Sequence, residues 1–248
     1  MFQERAHATL RDGNTLSASS DILIDENTEI YIQHYVTDSN VFAFQTDTDM
    51  TQEVGSIISV LEPSQSDVTI DTREFITDGQ LLLGVLHSNS EFSLFQTNEN
   101  SVVSFTPSSQ QFLRGSTIEL GGDVTVNDLL DIHDTAVFEV SEGGVLTMTG
   151  SGGPITMQVS NTARIDGQFL APVAVDFGTG SPDFFVGENG RFEFDDASNF
   201  VADRLEVNGI MKCESSLNFD GRSNIKMENL VVNAGGTKIR QRLGMILR

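Results

Sequence analysis

Ser141–Gly150 reads S-E-G-G-V-L-T-M-T-G: a two-glycine turn, then a short strand in which Leu146 and Met148 share one face. The same arrangement recurs along nearly the whole chain. Aligned on the last residue of each turn, it passes through Gly13, His34, Gly55, Gly79, Asn100, Gly122, Gly144, Gly167, Gly190, Gly209 and Gly236. The non-glycine anchors, His and Asn, tolerate a positive φ better than most residues. Asp12, Asp78, Asp166, Asn189 and Asn208 stand directly before glycine anchors, as tight turns prefer.

The flanks carry strand periodicity. Two residues past the anchor stand Ile57, Leu81, Val102, Val124, Leu146, Phe169, Phe192 and Met211, and four past it Val126, Met148, Ala171, Phe194 and Cys213. Four before it stand Ile30, Phe75, Ile118, Val140, Ala163, Val186, Leu205 and Val232. A period of about 22 residues, at roughly 3.3 Å per residue, gives a contour near 70 Å, enough for three short strands and three corners. Paired helices would need apolar residues at i, i+3 and i+4, and a propeller blade about twice the length. The pattern therefore predicts an all-β chain, a parallel β-helix of about ten coils, right-handed by the default for parallel crossovers.

Residues 13–236 form this expected solenoid, with irregular coils over 13–117 and regular ones over 118–236. Phe2–Arg11 has helical composition, with Phe2, Ala6 and Leu10 on one face, so residues 1–12 read as a cap or linker. Leu61–Ser66 and Thr106–Gln111 read as corner loops. Interruptions at Ser151–Pro154, Gly178–Pro182 and Asp195–Asn199 fall at similar phases, which would project them from one side. Residues 237–248 read as a basic tail or a continuation into a further domain.

Net charge is −22, from 36 acidic and 14 basic residues. That argues against binding a phosphate backbone or an anionic membrane, so neither nucleic acid nor membrane insertion is expected. It keeps a protein made of β-edges soluble, and weak Ca²⁺ binding to the acidic surface is its one expected metal chemistry. The single cysteine, Cys213, lies in the +4 column as a buried inert thiol; it excludes an intrachain disulfide. Met1–Leu10 is polar and charged, unlike a signal peptide, which leaves either a cytosolic chain or a mature or fragmentary form of an extracellular one; the association of stacked β-coils with extracellular proteins favours the second.

No site residue is assigned as catalytic, cofactor-binding or metal-binding. The best candidates for carboxylate chemistry are Asp131, His133 and Asp134 in D-L-L-D-I-H-D-T, and the pair Asp195 and Asp196. Neighbours on a strand point to opposite faces, and the two groups fall two to three coils apart, too far for a concerted pair. Trp is absent and Tyr31 and Tyr35 are the only tyrosines, so stacking platforms for sugars are scarce, while the 17 Phe fill inward columns. Walker and dinucleotide glycine patterns are missing, as are calcium nonapeptides.

The runs E-G-G-V-L-T-M-T-G, R-L-E-V-N-G-I-M-K-C and L-V-V-N-A-G-G resemble the coil repeats of extracellular parallel β-helix proteins, among them surface adhesins, autotransporter passengers and matrix solenoids. The resemblance implies a non-catalytic structural or adhesive module, a rigid spacer that displays loops or packs with copies of itself in a filament or matrix. A carbohydrate-active β-helix, a lyase, hydrolase or viral tailspike, is the alternative.

Overall fold

A computed structural model describes the chain apart from residues 1–5, 12–13, 34–40, 62–66, 84, 88–91, 106–110, 128–129, 150–154, 177–181, 201, 220–223, 228–229 and 233–248. Every described element is a β-strand, and every strand pair is parallel. The chain is a β-solenoid with about 22 residues per circuit. Each circuit lays one strand on each of three faces, as in Asp123–Val126, then Leu130–Val140, which turns a corner and continues onto the third face. The first face is eleven strands deep, from Ala6–Arg11 to Leu230–Val232. The second begins with Thr15–Ala18, Val41–Thr46, Asp67–Asp71 and Val85–His87, and the third runs from Ile22–Ile24 to Asn224–Met227.

Stacking is in register, so like residues lie above like. On the first face Ile58, Leu81, Val103, Val124, Leu146, Phe169, Phe192 and Met211 form one buried column. On the third, Phe75, Phe95, Ile118, Phe138, Ala163, Phe184 and Leu205 form another. The faces meet in the interior around Phe192, whose ring lies 5.1 Å from Phe169, 5.4 Å from Phe184 and 4.7 Å from Phe194. Cys213 stacks in register above Phe194 and is fully buried, as its column predicts.

Several sequence expectations shift. Val102 and Ile57 lie outside the inward column: Val102 is 42% exposed, and Val103 and Ile58 take their places. The turn residues aligned with the glycines are thus Ser56 and Ser101, not Gly55 and Asn100. Ile30 belongs to the first face beside Ile58, following the turn at Asp25–Thr28, so the anchor before it is Thr28 and not His34. Gly13, His34 and Gly236 lie outside the described residues, as do most of the two corner loops at 61–66 and 106–111 and the tail at 237–248.

Val140 and Val186 belong to a column one step nearer the turn than Phe75, Ile118, Ala163 and Leu205. The reason is turn length. Glu53–Ser56, Asn98–Ser101, Ser141–Gly144 and Gly187–Gly190 close by an i to i+3 hydrogen bond of 3.2, 3.0, 2.9 and 3.0 Å. Between them fall shorter turns, Asp78–Gly79, Gly121–Gly122, Asp166–Gly167 and Asn208–Gly209, whose first N–H donates to a carbonyl of the preceding circuit; at Asp166–Gly167 both N–H groups donate to the Val140 carbonyl. The longer turns add two residues, an even number, so the inward face is preserved while the alignment slips.

Positive φ is not what selects the anchor glycines. Among the described residues only Gly55 and Gly143 have it, and neither is the last residue of its turn. Close approach selects them. A Cβ on Gly144 would sit 2.3 Å from the Leu120 carbonyl oxygen, and one on Gly167 2.2 Å from that of Gly144.

Ala6–Arg11 is a strand in parallel register with Thr28–Gln33, which corrects the helical reading. A spacing of four residues satisfies a helix and equally a strand, because four is a multiple of two. Asp195–Asn199 does not interrupt the wall but continues the strand Arg191–Phe200, with a register shift at the corner. Residues 151–154 and 178–181 lie outside the described residues. Among the described residues before 118, Phe42, Phe44, Met50, Val68, Ile70 and Phe75 are buried to 1% or less.

Candidate interaction face

The first face presents two outward columns. One stacks Ile57, Gln80, Val102, Asp123, Val145 and Gln168; the other stacks Ser59, Leu82, Ser104, Thr125, Thr147 and Leu170. Asp123 is the single charge in both. Backbone alternation puts these side chains outward, since Ile58, Leu81, Val103, Val124, Leu146 and Phe169 between them are fixed in the core. In a chain of net charge −22, six rungs of sheet surface with one charge, Asp123, stand out among the described residues.

Charge returns at both ends. Below stands Glu29, which accepts a hydrogen bond from the Tyr31 hydroxyl at 3.3 Å. Above stand Arg191, paired to Glu193 at 2.6 Å, and Lys212, paired to Glu214. A groove of about 280 Å³ lies at that upper boundary, lined by Thr147, Leu170, Pro172, Glu193, Phe194 and Glu214 among others.

The third face contrasts. Its outward positions include Asp49, Glu74, Glu119, Glu139, Arg164, Asp183, Arg204 and Glu206. Asp49 takes a two-point contact from Arg73 at 3.1 and 2.9 Å, Arg164 pairs with Asp166, and Arg204 pairs with Glu206 while lying 5.2 Å over the Phe185 ring. Glu119 and Glu139 are direct cross-strand neighbours of like charge. Partial burial pushes the Glu139 carboxyl up from its ordinary pKa, Glu119 and Asp166 push it further, and Arg164 and a Ser141 hydrogen bond oppose them.

The candidate carboxylates fall on the second face and its corners. Asp131 stacks between Phe112 and Thr156, and Thr156 in turn pairs with Asp176, a residue the sequence pattern did not single out. His133 lies in backbone register with Arg114, and Asp134 falls in the register shift between Ile132 and Thr135. Asp195 donates its backbone N–H to the Val173 carbonyl at 3.0 Å, and its own carbonyl accepts from the Cys213 thiol at 3.3 Å. Asp196 pairs with Ser216. With Thr156 and Asp176 between them, Asp131 and Asp196 are separated by about 14 Å at the strand spacing, so the fold does not bring the two groups together. Among the described residues, no group of three or more His, Cys, Asp or Glu is placed to hold a metal ion, and no helix is long and apolar enough to cross a membrane.

The neutral face was within reach of sequence reasoning. Once the turn anchors are known, the residues one and three positions past them are the outward pair, and from Ile57 to Leu170 they carry one charge.

Fold and surface together define a parallel β-solenoid, one wall of which carries a single charge across its six middle rungs. Comparison with known proteins places it no further: no protein-family model, curated protein or solved structure matches the chain.

Proposed function

We infer that the chain is a non-catalytic structural or adhesive module of an extracellular or cell-surface assembly, a rigid spacer whose uncharged first face makes the lateral contacts. The observation that carries this reading is that face. Its six rungs set Ile57, Leu82, Val102, Val145 and Leu170 among neutral polar side chains, with Asp123 the one charge, in a protein otherwise covered by acids. A contact role gives the face a purpose, while the paired charges at either end mark its limits. The resemblance of the E-G-G-V-L-T-M-T-G and R-L-E-V-N-G-I-M-K-C runs to extracellular solenoid coils supports the setting.

The test is a solid-phase binding screen against matrix proteins and glycans, run beside a cleavage assay on acidic polysaccharides. Retention on a surface or matrix component without turnover supports the module. Turnover of a polysaccharide that Asp131→Asn or His133→Ala abolishes would replace it with a carbohydrate-active enzyme.

A further inference from the structure

The geometry points to a second copy of this chain as the occupant of the first face, in an isologous contact that lays the uncharged rungs of two rods flat against each other. This rests on the structural reading above and names its partner.

Charge selects the occupant. Two chains of net charge −22 repel wherever their acidic surfaces meet. Among the described residues, the second face carries Asp71 and Asp176, and the third mixes Asp49, Glu74, Glu119 and Glu139 with Arg164 and Arg204. Among the described residues, the first face from Ile57 to Leu170, with Asp123 as its one charge, is where two copies bring the fewest charges together. A cationic partner would be drawn to the other two faces, and an acidic one would be repelled by the whole rod.

The surface also complements itself. Val102, Leu82, Val145 and Leu170 offer apolar contact, and Ser104 and Thr125 offer hydroxyls that both donate and accept, so neither copy need supply a group the other lacks. Parallel sheets of this kind pack face to face about 10 Å apart. Six rungs of four residues span about 29 Å by about 13 Å, a projected area of about 380 Å² per copy. A pair thus covers about 760 Å² by projection, below the roughly 1,000 Å² expected of a stable specific interface. The pair is therefore weak and concentration-dependent in solution, and it strengthens when many copies are held side by side.

Salt gives the contact a signature. Raising ionic strength from 0.1 M to 1 M shortens the screening length from about 10 Å to about 3 Å, which suppresses repulsion between the acidic flanks and spares the neutral contact. Association therefore rises with salt.

Sedimentation velocity on the full chain, from dilute to millimolar concentration at both salt levels, tests this with two variants of equal charge. Val102→Glu with Thr125→Glu places carboxylates on the first face; Thr51→Glu with Gln96→Glu places them on the third. All four positions point outward, and circular dichroism checks that both variants keep the fold. Expected are dimers of the wild type and of the third-face variant, favoured by high salt, with dimerisation at least tenfold weaker in the first-face variant. A first-face variant that associates as well as the wild type overturns the assignment while leaving a self-assembling structural module standing. A wild type that stays monomeric at millimolar concentration in high salt also overturns it, and the solid-phase screen then decides the structural reading separately.

Discussion

Gly167→Ala is the sharpest probe of the stacked corner. A Cβ at this position would lie 2.2 Å from the Gly144 carbonyl oxygen and 2.3 Å from that of Ser141, both rigid backbone atoms of the preceding turn. Ordinary contact needs about 1 Å more, so the two circuits must part at this corner. Three ladder bonds feel that movement: Gly167 N–H to the Val140 carbonyl at 2.9 Å, Gln168 N–H to the Gly144 carbonyl at 2.9 Å, and Arg191 N–H to the Gly167 carbonyl at 2.8 Å. Weakening two of them at about 1 kcal/mol each, with overpacking of at least about 1 kcal/mol, gives a loss of about 3 kcal/mol. For a chain of this size that lowers Tm by about 6–12 °C. Gly143→Ala is the control. No atom lies within 4 Å of its added Cβ, and only its φ of 86° resists the change, at about 1 kcal/mol or about 2–4 °C. Thermal unfolding followed by far-ultraviolet circular dichroism measures both. Equal losses, or a larger loss at Gly143, would refute close approach as the reason for the glycine column.

Three further outcomes follow from the same geometry. Phe192→Asp buries a carboxylate among three aromatic rings and should cost several kcal/mol, on the order of 4, unfolding neighbouring circuits, whereas Asp196→Asn should shift Tm by less than about 2 °C. Thr77→Val removes the hydroxyl that donates to the buried Gln52 Oε1 at 2.9 Å, and urea unfolding should show a loss of about 1–3 kcal/mol. Glu139→Gln should stabilise the protein at neutral pH by about 0.5 kcal/mol after solvent screening. Because the folded-state pKa of Glu139 is raised, the folded chain holds this proton more tightly than the unfolded chain. Stability is therefore lost as pH rises from the ordinary carboxylate range through the raised pKa, and the gain from Glu139→Gln should vanish below that range. A gain that persists in acid would show that charge is not its cause.

Much of the fold was legible because parallel stacking repeats one local rule. Leu146, Phe169, Phe192 and Met211 reveal their column by spacing alone, since each contacts its counterpart one circuit away. What escaped was phase. Ser56 and Ser101 fill the anchor position with buried hydroxyls that donate to the Glu53 and Asn98 carbonyls at 2.6 and 2.8 Å, so the glycine pattern does not mark them. Gln52, Thr77 and Thr97 hid the corner column for a related reason. They form buried polar steps in line with Leu120, Val140 and Ile165, satisfied by hydrogen bonds such as Gln52 Nε2 to the Gln80 carbonyl at 2.8 Å. The interaction face escaped because its signal is the absence of charge at alternate positions, visible only after the register is fixed.

The stacked register itself is tested most directly by a spin-label distance. Nitroxides on Ile57→Cys and Ile210→Cys, in a Cys213→Ala background, occupy the same outward column seven strand steps apart, through Gln80, Val102, Asp123, Val145, Gln168 and Arg191. Pulsed electron resonance should give one distance near 34 Å, seven times the strand spacing. A distance below about 20 Å, as a folded-over sandwich of the same strands would give, contradicts the solenoid and every inference drawn from it.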